Sequence, residues 1–128
     1  MTFPLEAIVE RIDSVYGLTG GCQVGMPAQL ENVSGSPYAW ITNVIETAGD
    51  SPIIGPVRQR LLFRVEVTCG DRTLNGLLHA RDHIREALLN YIVTPDYEPM
   101  TFRAGRMEFA DPGWYLWRDE YITAYELR

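Results

Sequence analysis

Apolar residues in the stretch PLEAIVERIDSVY, 4–16, recur at the spacing of one helix face. Leu5, Ile8, Val9, Ile12, Val15 and Tyr16 fall on a stripe, with Glu6, Glu10, Asp13 and Ser14 opposite. Thr2 is placed to cap this helix, Pro4 is tolerated in its first turn, and GLTGG at 17–21 stops it. Residues 22–33 carry no clean period and fit at most a short edge strand interrupted at Pro27. YAWITNVIE, 38–46, is β-branched and aromatic and predicts a strand. RLLFRVEVTC, 60–69, alternates more sharply. Leu61, Phe63, Val65, Val67 and Cys69 take one face, and Leu62, Arg64, Glu66 and Thr68 the other. Between these two strands, TAGDSPIIGPVRQ at 47–59 reads as a loop, unusually apolar for one.

Gly70 and Asp71 turn the chain into a second predicted helix, 73–92. Its apolar face holds Leu74, Leu77, Leu78, Ile84, Leu88, Leu89, Tyr91 and Ile92. Arg81 and Arg85 project into that same stripe. TPDYEP, 94–99, breaks the helix, and Ala110-Asp111-Pro112-Gly113 is a turn between two strand-like runs, which predicts a C-terminal β-hairpin. The order predicts an α+β fold: one antiparallel or mixed sheet, with two main helices packed on one face. At 128 residues the chain is expected to be one domain, 1–128.

Composition narrows the functions. The chain is 46% hydrophobic and 22% charged, ordinary for a globular protein, and no apolar run approaches the roughly 20 residues that span a bilayer, so no membrane partner is expected. The start, MTFPLEAIVERID, lacks the basic and apolar regions of a signal peptide. A net charge of -6 speaks against sequence-independent nucleic-acid binding. Every basic residue is arginine, so P-loop, Schiff-base and other lysine chemistry is excluded. Arginine suits fixed, planar ion pairs at interfaces.

Candidate chemistry is thin. His79 and His83 lie four apart in HARDH, which echoes the His-x-x-Glu-His zinc-peptidase motif with Asp82 at the base position. Both histidines fall on the wheel opposite the apolar stripe, aspartate is one methylene short, and a third ligand is lacking; the pair reads as a solvated face. GLTGG ends a helix instead of opening one, so it is a C-cap and not a phosphate cradle. Cys22 and Cys69 read as buried free thiols. Asp119 and Glu120 adjoin on a strand and face opposite sides, so they cannot cooperate. No catalytic, cofactor-binding or metal-ligating set emerges.

Three features carry a resemblance to a known family: the N-terminal amphipathic helix; the strand, tight turn and Leu-rich helix of RLLFRVEVTCGDRTLNGLLHARDHIREALLNYI; and the ending GRMEFADPGWYLWRDEYITAYELR. Across nearly its whole length the chain resembles the tail terminator proteins of long-tailed bacteriophages, also called tail completion or minor tail proteins. The resemblance implies an α+β structural protein of the virion, assembled in the host cytoplasm and placed at the neck-proximal end of the tail. Such a protein forms a hexameric ring on the tail tube, halts its polymerisation and presents a surface for head–tail joining. The implied partners are itself, the major tail tube protein and the head–tail connector or stopper; DNA only passes through the lumen. No enzymatic activity and no cofactor are implied. Another small ring-forming virion protein, a head–tail stopper or connector adaptor, is the alternative, and a small hydrolase or metal protein centred on His79 and His83 is the competitor from another class.

Expected interface residues are Ile53, Ile54, Val57, Arg58 and Arg60 of the apolar loop and its border, with Trp114 and Arg118 of the last strand. If that strand runs unbroken from the turn, Tyr115, Trp117, Tyr121 and Tyr125 line up toward the helices. Trp114, Leu116, Arg118, Glu120 and Ile122 would then form an opposite face offered to a partner.

Overall fold

Strand-period and helix-period segments close on one sheet. The computed structural model describes residues 2–15, 17–30, 33, 36–48, 59–110 and 113–127. The elements are α1 (Leu5–Asp13), β1 (Cys22–Val24), β2 (Tyr38–Ala48), β3 (Gln59–Asp71), α2 (Leu74–Leu88), β4 (Thr101–Ala110) and β5 (Trp114–Leu127). The strand order is β1-β2-β3-β5-β4. β1 runs parallel to β2 and every other pairing is antiparallel, so the sheet is mixed. The α+β fold, with both helices on one face and a C-terminal hairpin, is the one expected.

Local chemistry explains the boundaries. Thr73, extended, accepts a hydrogen bond from the Gly76 amide and starts α2. That helix ends at Leu88 and not at 92. Leu89 leaves the helical region and Asn90 takes a positive φ of 63°, which asparagine tolerates, and its amide donates to the Met100 carbonyl. Pro4, and not Thr2, is the N-cap of α1, with no side-chain bond. Gly113, at φ 74°, serves the β4–β5 turn.

The helix-side core joins Ile8 and Ile12 of α1, Leu77, Ala80, Ile84 and Leu88 of α2, and Ile41, Val65, Val67, Cys69 and Tyr121 of the sheet. This is the narrow stripe of α2. Leu74, Leu78, Leu89 and Ile92, expected on its apolar face, are instead 37–50% exposed. Tyr115 and Trp117 pack against that core, as the parity of the last strand predicts, and Phe102 of β4 joins them.

The opposite face of β5 differs from expectation. Trp114 is 0% and Leu116 3% exposed, and with Trp40 they form a second buried cluster covered by Met26, Leu30, Val33 and Tyr38. The chain between β1 and β2 therefore covers this end of the sheet. Trp114 is core in this structure, not a surface group available to a partner. β5 is an interior strand buried on both faces at its start.

Trp114→Ala is expected to cost about 3–5 kcal/mol by opening a cavity beside Trp40. Val24→Ala, at a position 61% exposed, should cost less than about 0.5 kcal/mol. Thermal melting distinguishes them, with a fall on the order of 10–20 °C for the first alone.

Candidate interaction surface

β5 carries charged groups to both sides of the sheet, and the two sides use them differently. Toward the helices, Asp119 is 3% exposed. Arg81 of α2 donates to it twice, Nε at 3.0 Å and Nη2 at 3.2 Å, while Trp117 Nε1 donates at 3.0 Å. The guanidinium also lies 4.3 Å from the centroid of the Trp117 ring. Gly105 of β4 makes room for this arrangement, since a Cβ there would collide with Asp119 Oδ1 and Trp117 Nε1. Arg81 was legible as an arginine inside an apolar stripe; its partner was not.

On the other side, Arg118 ties together β3, β4 and β5. It donates from Nε to Glu108 Oε2 at 2.9 Å, and from Nη1 to Thr68 Oγ1 at 3.1 Å and Glu66 Oε1 at 3.4 Å. A register shift between Ile41 and Asn43 leaves Thr42 out of the pairing, and its hydroxyl donates to Glu66 Oε1 at 2.6 Å. The register sets like charges opposite one another, Glu66 against Glu120 and Arg118 against Arg106. Such pairs repel. Glu108 offsets the second by binding both guanidiniums, Arg106 Nε at 3.0 Å. These bonds, Arg118 first, hold the Glu108 carboxyl below its ordinary pKa. A shallow cavity of about 170 Å³ opens between Glu66, Ala104, Gly105, Arg106, Arg118 and Glu120. Arg118, with its side chain 22% exposed, is thus an internal tie as well as part of this face. The face is a plate of paired charges, suited to recognition by shape and charge.

The other expected interface residues lie apart. Arg60 pairs with Glu98 through two bonds of 2.8 Å, both side chains about half exposed. This bond lowers the Glu98 pKa. Ile53, Ile54, Val57 and Arg58 lie outside the described residues. Arg64, on the same outer face, has a buried Nε without a hydrogen-bond partner among the described residues.

His79 and His83 border a separate cavity of about 260 Å³ with Gly17, Pro37, Gly76 and Ala80. His83 Nδ1 lies 3.9 Å from Glu86. Among the described residues, no three His, Cys, Asp or Glu side chains gather to hold a metal. Cys22 and Cys69 are buried thiols in strands on either side of β2, and burial, with Asp13 beside the first and Asp71 beside the second, pushes each pKa up to about 12. Near neutral pH both stay protonated, and a thiol is a poor nucleophile. Among the described residues, no helix is long and apolar enough to cross a membrane.

The sequence matches no protein-family model and no curated protein. Among solved structures, the fold is similar to that of a chain from the virion of a native gene transfer agent (GTA) particle. The TM-score is 0.65 at 11% identity, covering 95% of this chain and 93% of that one. At that identity the likeness is one of fold, extending over nearly the full length of both chains.

Two outcomes test this geometry. Asp119→Asn leaves Arg81 without a charge partner in a largely buried site and is expected to cost about 3–5 kcal/mol. The double variant Arg81→Met with Asp119→Leu should cost less than the two single variants summed, because both charges are gone; denaturant unfolding across the four proteins measures the coupling. The second concerns acid. A depressed folded pKa at Glu98 means a stabilisation present above the ordinary glutamate range and lost as pH falls through the lower folded value. Arg60→Ala should therefore move the Glu98 carboxyl titration, followed by NMR, upward toward its ordinary midpoint.

Proposed function

We propose that this chain is a structural protein of a phage-like virion. It caps the end of the tail tube as a hexameric ring, stops tube polymerisation and provides the surface for head–tail joining. The observation that supports the virion reading is the end-to-end likeness of fold to a chain of a gene transfer agent virion. The finer assignment rests on the resemblance of the sequence to tail terminators, which specifies the ring, the tube protein and the connector or stopper as partners. The geometry is compatible with it. The best-organised polar face holds its charges in fixed ion pairs, as a docking plate would.

A C6 ring needs two different complementary patches on each subunit, since its contacts are heterologous. Ile53, Ile54, Val57 and Arg58, with Arg60 at the border of that loop, remain the proposed contact element for one of them. The charged plate around Arg118 is proposed as a surface for a neighbouring ring of the neck or tube. With a net charge of -6, an assembled ring would repel DNA and let it slide through the lumen.

Tails assembled without this protein are expected to grow beyond their normal length, as seen by electron microscopy, and purified protein should restore the length. Native mass measurement on capped tails should find six copies. Tails of normal length in its absence overturn the capping role, and two or five copies overturn the ring. Binding to the head-side connector but not to the tube would favour a connector adaptor.

A further inference from the structure

Among the described residues, the sheet has an open edge at β4, a strand of ten residues with a neighbour on only one side. Such an edge presents unpaired backbone donors and acceptors and is a template for another strand. Its first part is blunted: the register slips between Phe102 and Ala104, leaving Arg103 unpaired in the ladder. The run from Ala104 to Ala110 pairs with β5 without interruption. Met107 is the midpoint of that run. Here the edge is apolar, with Met107 51% and Phe109 63% exposed. On α2, Leu74 and Leu78 are 41% and 37% exposed. They lie two turns and one turn, respectively, before Arg81 on the helix face that meets Trp117 of β5.

The order of residues about Met107 is self-complementary in charge. An antiparallel partner strand related by a two-fold axis through Met107 would set Arg106 opposite Glu108 of a second copy, and Glu108 opposite its Arg106. Both are on the polar face, where within one chain the same groups already bridge at 3.0 Å. On the other face, Phe109 of each copy would stand opposite Gly105, the residue that has no side chain of its own. A bulky aromatic opposite a strand glycine is a favourable cross-strand pair. Shifting the axis by one residue to Arg106 would place two guanidiniums directly opposite each other, so only one of these adjacent registers suits the charges.

We propose that a second copy of this chain docks on β4, pairing residues 104–110 antiparallel about a two-fold axis at Met107. The contact is isologous, with the same patch on both partners, so it cannot itself close a ring. It stands apart from the ring reading, and its failure would leave that reading intact. A contact built from one strand pair and a few apolar side chains is small, so a weak, concentration-dependent dimer is expected.

The test uses the intact free protein. Both native thiols are buried, so a cysteine introduced on β4 reports alone. In a narrow antiparallel pair, opposed Cα atoms are about 4.5–5.5 Å apart, within disulfide reach. Met107→Cys is expected to give a disulfide-linked dimer under mild oxidation, whereas Phe109→Cys, whose two copies would be separated by roughly 13 Å along the strands, should not. Separately, Met107→Glu and Met107→Lys should each run as monomers in sedimentation at high micromolar concentration, and an equimolar mixture should recover the dimer. Circular dichroism of each variant checks that the fold is retained. Equal crosslinking at both positions, no crosslinking at Met107→Cys, or a wild-type protein that stays monomeric at high concentration overturns the proposal.

Discussion

The arrangement depends most on one buried ion pair. Asp119 sits in the middle of the interior strand β5, on the face that α2 covers, and Arg81 is the cation that balances it. A carboxylate there without its partner would be costly to bury, so the pair constrains everything around it. A slip of β5 by one residue would turn Asp119 to the opposite face, away from Arg81. A rotation of α2 would carry Arg81 away from Trp117. A side chain at Gly105 would displace the carboxylate. The pair is therefore satisfied by one strand register, one helix rotation and one small residue on β4. Apolar packing, which tolerates sliding, supplies most of the cohesion; this pair selects the alignment.

Periodicity made much of this legible. The α1 stripe, the alternation along β3 and the turn before β5 each depend on neighbours within a few residues, and each is found close to where the pattern puts it. Arg81 stood out because a guanidinium in an apolar stripe must meet a counter-charge, yet nothing local identified Asp119. The exposure of Leu74 and Leu78 was illegible for a related reason. The wheel shows which residues share a face but not how wide a stripe the sheet covers.

The largest departure was Trp114. Its face was correctly read, but its surroundings depend on Met26, Leu30 and Val33, far away in sequence and without periodic pattern. A segment that packs as an irregular cover announces itself through no spacing rule, so the aromatic surplus at the start of β5 read as interface when it is a second core. Arg118 shares the lesson in milder form: a charge on a strand reads as interface, and only the register reveals the partners from two neighbouring strands, β3 and β4, around it. Of the loop expected at 47–59, the two ends belong to β2 and β3, and residues 49–58 lie outside the described residues.

The two cysteines carry a consequence of a different kind. Cys22 pairs with Ala39 and Ala39 with Cys69, so the thiols stand two strand spacings apart, roughly 10 Å between Cα atoms. That exceeds the span of a disulfide, and no small shift of a sheet changes it. Burial also withholds both from small oxidants and from exchange with other thiols. This spacing makes the fold indifferent to a change between reducing and oxidising surroundings: the same covalent structure serves in both, with no crosslink to wait for and none to lose.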